Sequence, residues 1–181
     1  MADYNEGNKI TVRKLISDED EKYERFEEHW KYGFKKDGVI VIPAEYDEVW
    51  YFSEGVVAVE RDCMWGYIDT AGNTVVPVRF DFARPFIEGL ARVEIANKWG
   101  YIDRTGNEVI PCKYNAAEAF SEGLAEALRN DKWGYIDRIG KEVIPFIFDC
   151  TSEFENGKAD VNLNGKPGTI DKQGNFTPEE E

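Results

Sequence analysis

Residues 98–111 read KWGYIDRTGNEVIP, and residues 132–145 read KWGYIDRIGKEVIP. The two stretches differ at two positions and begin 34 residues apart. The same step runs through the chain. Trp65, Trp99 and Trp133 obey it, and so do Gly38, Gly72, Gly106, Gly140 and Gly174, and Pro43, Pro77, Pro111 and Pro145. Phe52, Phe86, Phe120 and Phe154 form a fourth column, and Gly55, Gly89, Gly123 and Gly157 a fifth. A sixth, Tyr46, Phe80, Tyr114 and Phe148, is followed by Asp47, Asp81, Asn115 and Asp149. Columns held in register over four copies define an internal repeat. The copies run over 31–64, 65–98, 99–132 and 133–166, with a partial fifth at 167–176.

A step of 34 residues also suits a helix-pair repeat, but the content excludes it. Every copy carries Gly and Pro at fixed interior positions, and a proline inside a helix costs about 3 kcal/mol. WGYID, VVP and VIP are instead rich in the aromatic and β-branched residues that favour strands. The segment SEGLAEALRNDKW (121–133) is locally helical in composition. Its register partners decide otherwise. Positions 57/91/125/159 read Val, Ala, Ala, Ala, and positions 59/93/127/161 read Val, Val, Ala, Val. Between them, positions 58/92/126/160 read Ala, Arg, Glu, Asp. That alternation, apolar inward and mostly polar outward, has the period of a strand.

Each unit therefore reads as three short antiparallel strands. The GLARVEI type turns at Ala96-Asn97-Lys98 into WGYID, which turns through Asp-x-x-Gly into VVP or VIP. The stretch Asp81–Gly89 then returns the chain, with room for a short helical turn. A unit this small cannot bury its own face, so neighbours must stack. The expected fold is an all-β repeat protein of four to five such units in an open array. Closure into a propeller is the alternative; propeller blades usually have four strands and about 40 residues or more.

The pattern W-G-Y-I-D-x-x-G-x-x-V-I-P-x-x-Y/F-D, followed by F-x-E-G-L-A, resembles the WG repeat (KWG repeat) family. The copies at 65–78, 99–112 and 133–146 match closely. The first copy departs, with KYGF in place of WGYI and Gly33 one position late, and the last has Pro167-Gly168-Thr169-Ile170-Asp171. Degenerate terminal copies are common in repeat arrays. The resemblance implies a bacterial β-rich repeat domain over 31–176 and implies no reaction.

Outside the repeats, residues 9–30 are expected to form a strand and helix cap. KITVRKL (9–15) alternates like a strand. Ser17-Asp18-Glu19-Asp20 has the form of a capping box, and Tyr23, Phe26 and Trp30 fall on one helical face, so 18–31 is expected to be an amphipathic helix. Residues 1–8 and the acidic tail 177–181 are expected to be disordered. The first ten residues lack the apolar core of a secretory signal, and no stretch approaches the roughly 18 apolar residues of a membrane helix. Three cysteines, Cys63, Cys112 and Cys150, have no metal-type spacing, which suits reduced thiols and a cytoplasmic location.

The formal net charge is −14, and residues 18–28 alone hold seven acids and two bases. Such a surface repels nucleic acid and leaves a basic protein as a natural partner. Candidate chemistry is sparse. Asp69, Asp103, Asp137 and Asp171 recur three residues before Gly72, Gly106, Gly140 and Gly174, as turn aspartates do;. One carboxylate per repeat falls short of the six to eight oxygens that calcium takes. Trp65-Gly66, Trp99-Gly100 and Trp133-Gly134, with Pro77, Pro111 and Pro145, recur in every close copy, which points to packing rather than to a ligand platform;. His29 is the only histidine, and no phosphate-binding glycine loop occurs. No catalytic, cofactor or metal residue is assigned. Trp50 and Tyr51 break the repeat pattern, standing where other copies are polar or small, and are the candidate partner contact, unless they pack beneath the 18–31 segment. The expectation is a non-catalytic protein-interaction module. A glycan or peptide binder using aromatic grooves between repeats, and an acidic mimic of nucleic acid, are the alternatives.

Overall fold

A computed structural model of the chain describes residues 17–179. These form five antiparallel sheets of three or four strands each, in two compact units divided after Gly89. The strand expected at 9–15 and the disordered segment expected at 1–8 lie outside the described residues.

The first unit opens with β1 (Tyr23–Glu28), β2 (Lys31–Lys36) and β3 (Val39–Tyr46), paired in that order as sheet 1. Sheet 2 follows with β4 (Glu48–Val49), β5 (Val56–Arg61), β6 (Met64–Asp69) and β7 (Thr74–Phe80), and β8 (Phe82–Ala83) comes next. The second unit holds the long strands β9 (Leu90–Ile95), β10 (Lys98–Asp103) and β11 (Glu108–Tyr114) of sheet 3. Sheet 4 is β12 (Ala116–Ala117), β13 (Leu124–Arg129), β14 (Lys132–Asp137) and β15 (Glu142–Phe148). Sheet 5 is β16 (Cys150–Thr151), β17 (Lys158–Leu163), β18 (Lys166–Asp171) and β19 (Phe176–Pro178). The strand reading of 121–133 holds: β13 pairs along its whole length with β14.

Two expectations are corrected. No helix spans 18–31. The Ser17 hydroxyl does accept the Asp20 N–H at 3.1 Å, as a capping box would, but the helix lasts one 3₁₀ turn, Asp20–Lys22. Tyr23 then enters β1, which pairs with β2 from Tyr23↔Lys36 to Glu28↔Lys31. The segment is a further, degenerate copy of the β5–β6 hairpin. Its spacing of aromatics imitated a helical face because acids replaced the apolar residues that mark strands elsewhere. The second correction is a fourth strand. The return segment contains no helical turn; its second and third residues, Phe82 and Ala83, make a short strand, as Ala116–Ala117 does by pairing with Leu128 and Ala127. At the other end, β19 runs two residues into the segment expected to be tail.

The core explains the columns. In the second unit Tyr101, Ile110 and Tyr114 of sheet 3 pack against Ala117, Ala125, Ala127 and Ile136 of sheet 4. Tyr135, Ile144 and Phe148, from the opposite face of sheet 4, pack against Ala159, Val161 and Ile170 of sheet 5. Sheet 4 is thus buried on both faces, which is why Gly134-Tyr135-Ile136 is buried without alternation;. One aromatic contact recurs at each junction. Tyr67 meets Phe86, Tyr101 meets Phe120 and Tyr135 meets Phe154, all with ring centroids 4.9 Å apart and steeply inclined;. Each of these tyrosines also donates its hydroxyl to a backbone carbonyl seventeen residues on, at Arg84, Glu118 and Ser152.

The terminal sheets break the stacking rule on one face. Sheet 2 packs on sheet 1 through Val57, Val59 and Ile68. At the equivalent places sheet 1 has Glu24, Phe26 and Lys35, with Glu24 opposite Lys35 and the Lys35 ammonium 4.8 Å over the Phe26 ring. In sheet 5, Asp160 opposite Thr169 replaces the Glu126–Tyr135 pair of sheet 4. Cross-strand opposite charges stabilise a solvated face, whereas an apolar one invites further pairing.

Two outcomes are expected. Exchanging Glu24 for Val and Lys35 for Ile creates the face that sheet 2 buries, and size-exclusion chromatography with light scattering is expected to register more self-association than for the unaltered chain. Gly100→Ala brings a methyl carbon within 2.5 Å of the Ile110 carbonyl oxygen and destabilises by about 3 kcal/mol or more, read as a lower urea midpoint.

Candidate functional site

The repeat signature serves the backbone. Outer strand β7 pairs with β6 at Trp65↔Phe80 and again at Tyr67↔Val76, so β7 carries extra residues that bulge across Gly66;. A Cβ on Gly66 would sit 2.6 Å from the Val76 carbonyl oxygen and 2.8 Å from the Pro77 carbonyl carbon. Gly100 meets Ile110 and Pro111 in the same way, and Gly134 meets Ile144 and Pro145. Pro77, Pro111 and Pro145 occupy the bulge, where no ladder hydrogen bond is asked of their nitrogens. The bulge returns Phe80, Tyr114 and Phe148 opposite Trp65, Trp99 and Trp133. Trp65 is buried, and Trp99 and Trp133 lie half-buried against the core.

The turn aspartates act as acceptors. Asp69 Oδ1 accepts the N–H groups of Ala71 and Asn73, each at 2.8 Å. Asp103, Asp137 and Asp171 do the same for the residues two and four positions on. The Gly72, Gly106, Gly140 and Gly174 positions that follow have φ near +80°;. The side chains of Asn73, Thr105 and Asn175 donate to Asp69, Asp103 and Asp171, and with the backbone donors hold these carboxyls below their ordinary range. Among the described residues no group of three His, Cys, Asp or Glu side chains is arranged to hold a metal ion. No described helix is long and apolar enough to cross a membrane.

Another acidic position, unremarked in the sequence reading, joins repeats. Glu54 accepts the Gly89 N–H at 3.0 Å, and Glu122 accepts the Gly157 N–H at 3.0 Å. Asp20 does so for Gly55 at 3.1 Å. In each case a carboxylate caps the Glu-Gly or Asn-Gly turn of the following repeat. Ser53 and Ser121 donate across the same junctions to the carbonyls of Phe86 and Phe154. The signal was available as an acidic column 34 residues apart, but its partner was not.

Trp50 and Tyr51 do not lie under a helix. Trp50 is half-buried with its ring 6.3 Å from those of Trp65 and Phe82, and Trp65 and Phe82 stand 5.2 Å apart. Tyr51 meets Trp50 edge-on at 6.4 Å. The Arg84 guanidinium lies 4.7 Å over Trp50 and 4.9 Å over Phe82;. Acids border the cluster. Glu48 stands directly across from Glu60, and burial, with Asp47 and Glu48 nearby, pushes the Glu60 carboxyl up. Sheets 4 and 5 have Ala116↔Leu128 and Cys150↔Asn162 at that pair, so the aromatic and acidic grouping belongs to the first unit.

The second unit holds a different feature. Positions 58/92/126 are not outward. Ala58 is fully buried, Glu126 is 7% exposed, and Arg92 reaches the Ala117 carbonyl at 2.7 Å and forms an ion pair with Glu118. In the second unit Arg92 and Glu126 face the next sheet, and Asp160 is exposed. Glu126 accepts the Thr151 hydroxyl at 2.6 Å. Burial, reinforced by Glu118 and Glu153 and opposed by Thr151 and Arg92, raises its carboxyl above the ordinary value.

A family model described as "WG containing repeat" matches residues 34–62, 65–99, 99–133 and 133–166. The chain belongs to the WG repeat family. Its sheets straddle the family's repeat boundaries: β13 ends one matched copy and β14, beside it in sheet 4, begins the next. No protein of curated function matches the sequence. Among solved structures, PorZ, described as an essential bacterial surface component of the type-IX secretion system of Porphyromonas gingivalis, is similar over 88% of this chain at 8% identity and a TM-score of 0.46. This WG repeat chain spans 25% of that protein's chain, and at such distance the likeness carries no argument.

A pH prediction follows from Glu126. Its folded-state value is raised, so between the ordinary carboxylate range near 4.3 and that higher value the folded protein holds a proton the unfolded chain releases. Stability from this group is complete below that window and is lost as pH rises through it. Glu126→Gln removes the slope and still accepts from Thr151. Its urea midpoint is expected above the unaltered chain's at pH 7.5 and converging with it near pH 4. Asp69, Asp103 and Asp171 work in the opposite sense, their contribution falling away as pH drops below about 4.

Proposed function

We propose that this WG repeat chain is a non-catalytic protein-interaction module. The observation that carries the reading is the Trp50–Tyr51–Phe82–Arg84 cluster in the first unit. The packing columns are nearly invariant from copy to copy, whereas position 50/84/118/152 reads Trp, Arg, Glu, Ser. Trp, Tyr and Arg are the residue types that dominate binding energy at protein interfaces. They lie here half-buried, with their rotamers already fixed by mutual packing, which lowers the entropy lost on association.

The surroundings favour a basic partner. The chain carries −14 formal charges; of the acids that flank the aromatic cluster, Asp47 and Glu48 are paired with Lys31 and Arg25, and among the described residues Glu60 is not. A glycan reading fits less well, because Arg84 already occupies the ring faces of Trp50 and Phe82 on which a sugar would stack.

The test is affinity copurification of the full chain from its source cells at physiological salt, repeated with Trp50→Ala and Tyr51→Ala. A reproducible protein partner retained by the unaltered chain and reduced at least tenfold by either substitution is expected. A ligand-induced rise in Tm with oligosaccharides, and no such partner, would replace this reading with the glycan one.

A further inference from the structure

The four long hairpins of sheets 2 to 5 close with the same two-residue turn, both residues at positive φ. Asp62-Cys63 has φ of 54° and 63°, Ala96-Asn97 52° and 59°, Asn130-Asp131 53° and 59°, and Asn164-Gly165 53° and 78°. The second position thus carries Cys, Asn, Asp or Gly, residues that are small or tolerate the left-handed region. Sheet 1 has the same turn between β1 and β2, at His29 (φ 53°) and Trp30 (φ 64°). A tryptophan there accepts backbone strain that Asn97, Asp131 and Gly165 lessen;.

The fold returns nothing for that strain. Trp30 is 87% exposed, the highest value among the exposed large hydrophobic residues, and Ile139, the next, is 76% exposed. Strain held at an exposed aromatic is a functional signal rather than a packing one. The charge around the tip is specific as well. Lys31 is tied to Asp47, and Arg25 bonds Glu48 at 3.0 Å. Glu27 and Glu28 are exposed and make no ion pair among the described residues; Glu28 stands cross-strand from Lys31, whose ammonium goes to Asp47 instead. The nearby bases are therefore neutralised from within, and the acids beside Trp30 are not.

We propose that the β1–β2 tip is a docking knob, with Trp30 inserting into an apolar pocket of a protein partner and Glu27 and Glu28 meeting lysine or arginine on that pocket's rim. The proposal rests on the interaction-module reading and adds a contact to it. A tryptophan is the commonest anchor of such interfaces, and rim charges steer and select the partner. A lipid surface fits less well, because membrane-binding tips carry basic rather than acidic flanks.

The experiment uses the full chain. Trp30 is replaced by the photocrosslinking residue p-benzoylphenylalanine in the source cells, with the same residue at Cys63, the matching turn of sheet 2, as control. The protein crosslinked through position 30 is purified and its Kd measured against the unaltered chain, Trp30→Asn and Glu27→Lys/Glu28→Lys. Trp30→Asn and the double charge reversal are each expected to weaken binding at least tenfold, and the reversal to flatten the salt dependence. Trp30→Asn is expected to leave Tm unchanged or raise it by about 2–4 °C, since the strain is relieved and no packing is lost. No adduct at position 30 beyond the control, an unaltered Kd, or a lower Tm for Trp30→Asn would overturn the proposal. So would binding of the unaltered chain to phosphatidylcholine or phosphatidylglycerol vesicles that Trp30→Asn abolishes. If the tip fails while Trp50→Ala still removes a partner, the interaction-module reading stands without this contact; if neither position engages a protein, both fall.

Discussion

The absence of a side chain at Gly66, Gly100 and Gly134 sets the geometry on which the other columns depend. It lets the outer strand cross at 2.5–2.8 Å from where a Cβ would lie. That approach forces the bulge, the bulge suits Pro77, Pro111 and Pro145, and the extra residues bring Phe80, Tyr114 and Phe148 back opposite tryptophan. The neighbouring tyrosine then reaches a phenylalanine and a backbone carbonyl later in its own copy. Trp and Gly recur together because one bulge needs both: the glycine beneath it and a large ring to cover its end.

Much of this was legible in one dimension. The step of 34 residues, the strand identity of 121–133 and the turn aspartates follow from register, because each copy corrects local noise in the others. What failed was information no single column carries. The acids of Glu24, Glu27 and Glu28 hid a strand, since β1 has few apolar neighbours to alternate with. The two-residue strands were too short for any periodicity. Arg92 and Glu126 looked outward because alternation alone assumes one wet face, whereas sheets 3 and 4 of the second unit are packed together, as are sheets 4 and 5. Of the site, Trp50 and Tyr51 were visible as breaks in the pattern, but Phe82 and Arg84, which complete the cluster, come from the following copy. Trp30 was assigned to a helix face, and its prominence emerged only when its turn was aligned with four others.

Contact with backbone divides the sequence in two. Positions that meet backbone, such as Gly100 and Tyr101, have no freedom to vary. Positions at hairpin tips and in the 50/84/118/152 column are free of that duty, and there the copies diverge. The buried carboxylate of Glu126 is an exception, a polar side chain kept at a junction between sheets 4 and 5. Ionised at neutral pH, a carboxylate buried in this way costs folding stability that its protonated form does not;.

The carboxylate that caps the next repeat's turn has a consequence for how such a chain changes. Glu54 with Gly89 and Glu122 with Gly157 are each separated by 35 residues, so the donor always lies one copy beyond its acceptor. A crossover between two equivalent positions adds or removes one whole period. Every remaining carboxylate then finds a glycine N–H at the same distance along the chain. Length becomes a heritable variable that can be altered in single steps without redesigning a junction, while the unrepeated tips and the Trp50 column carry individuality from one member to another.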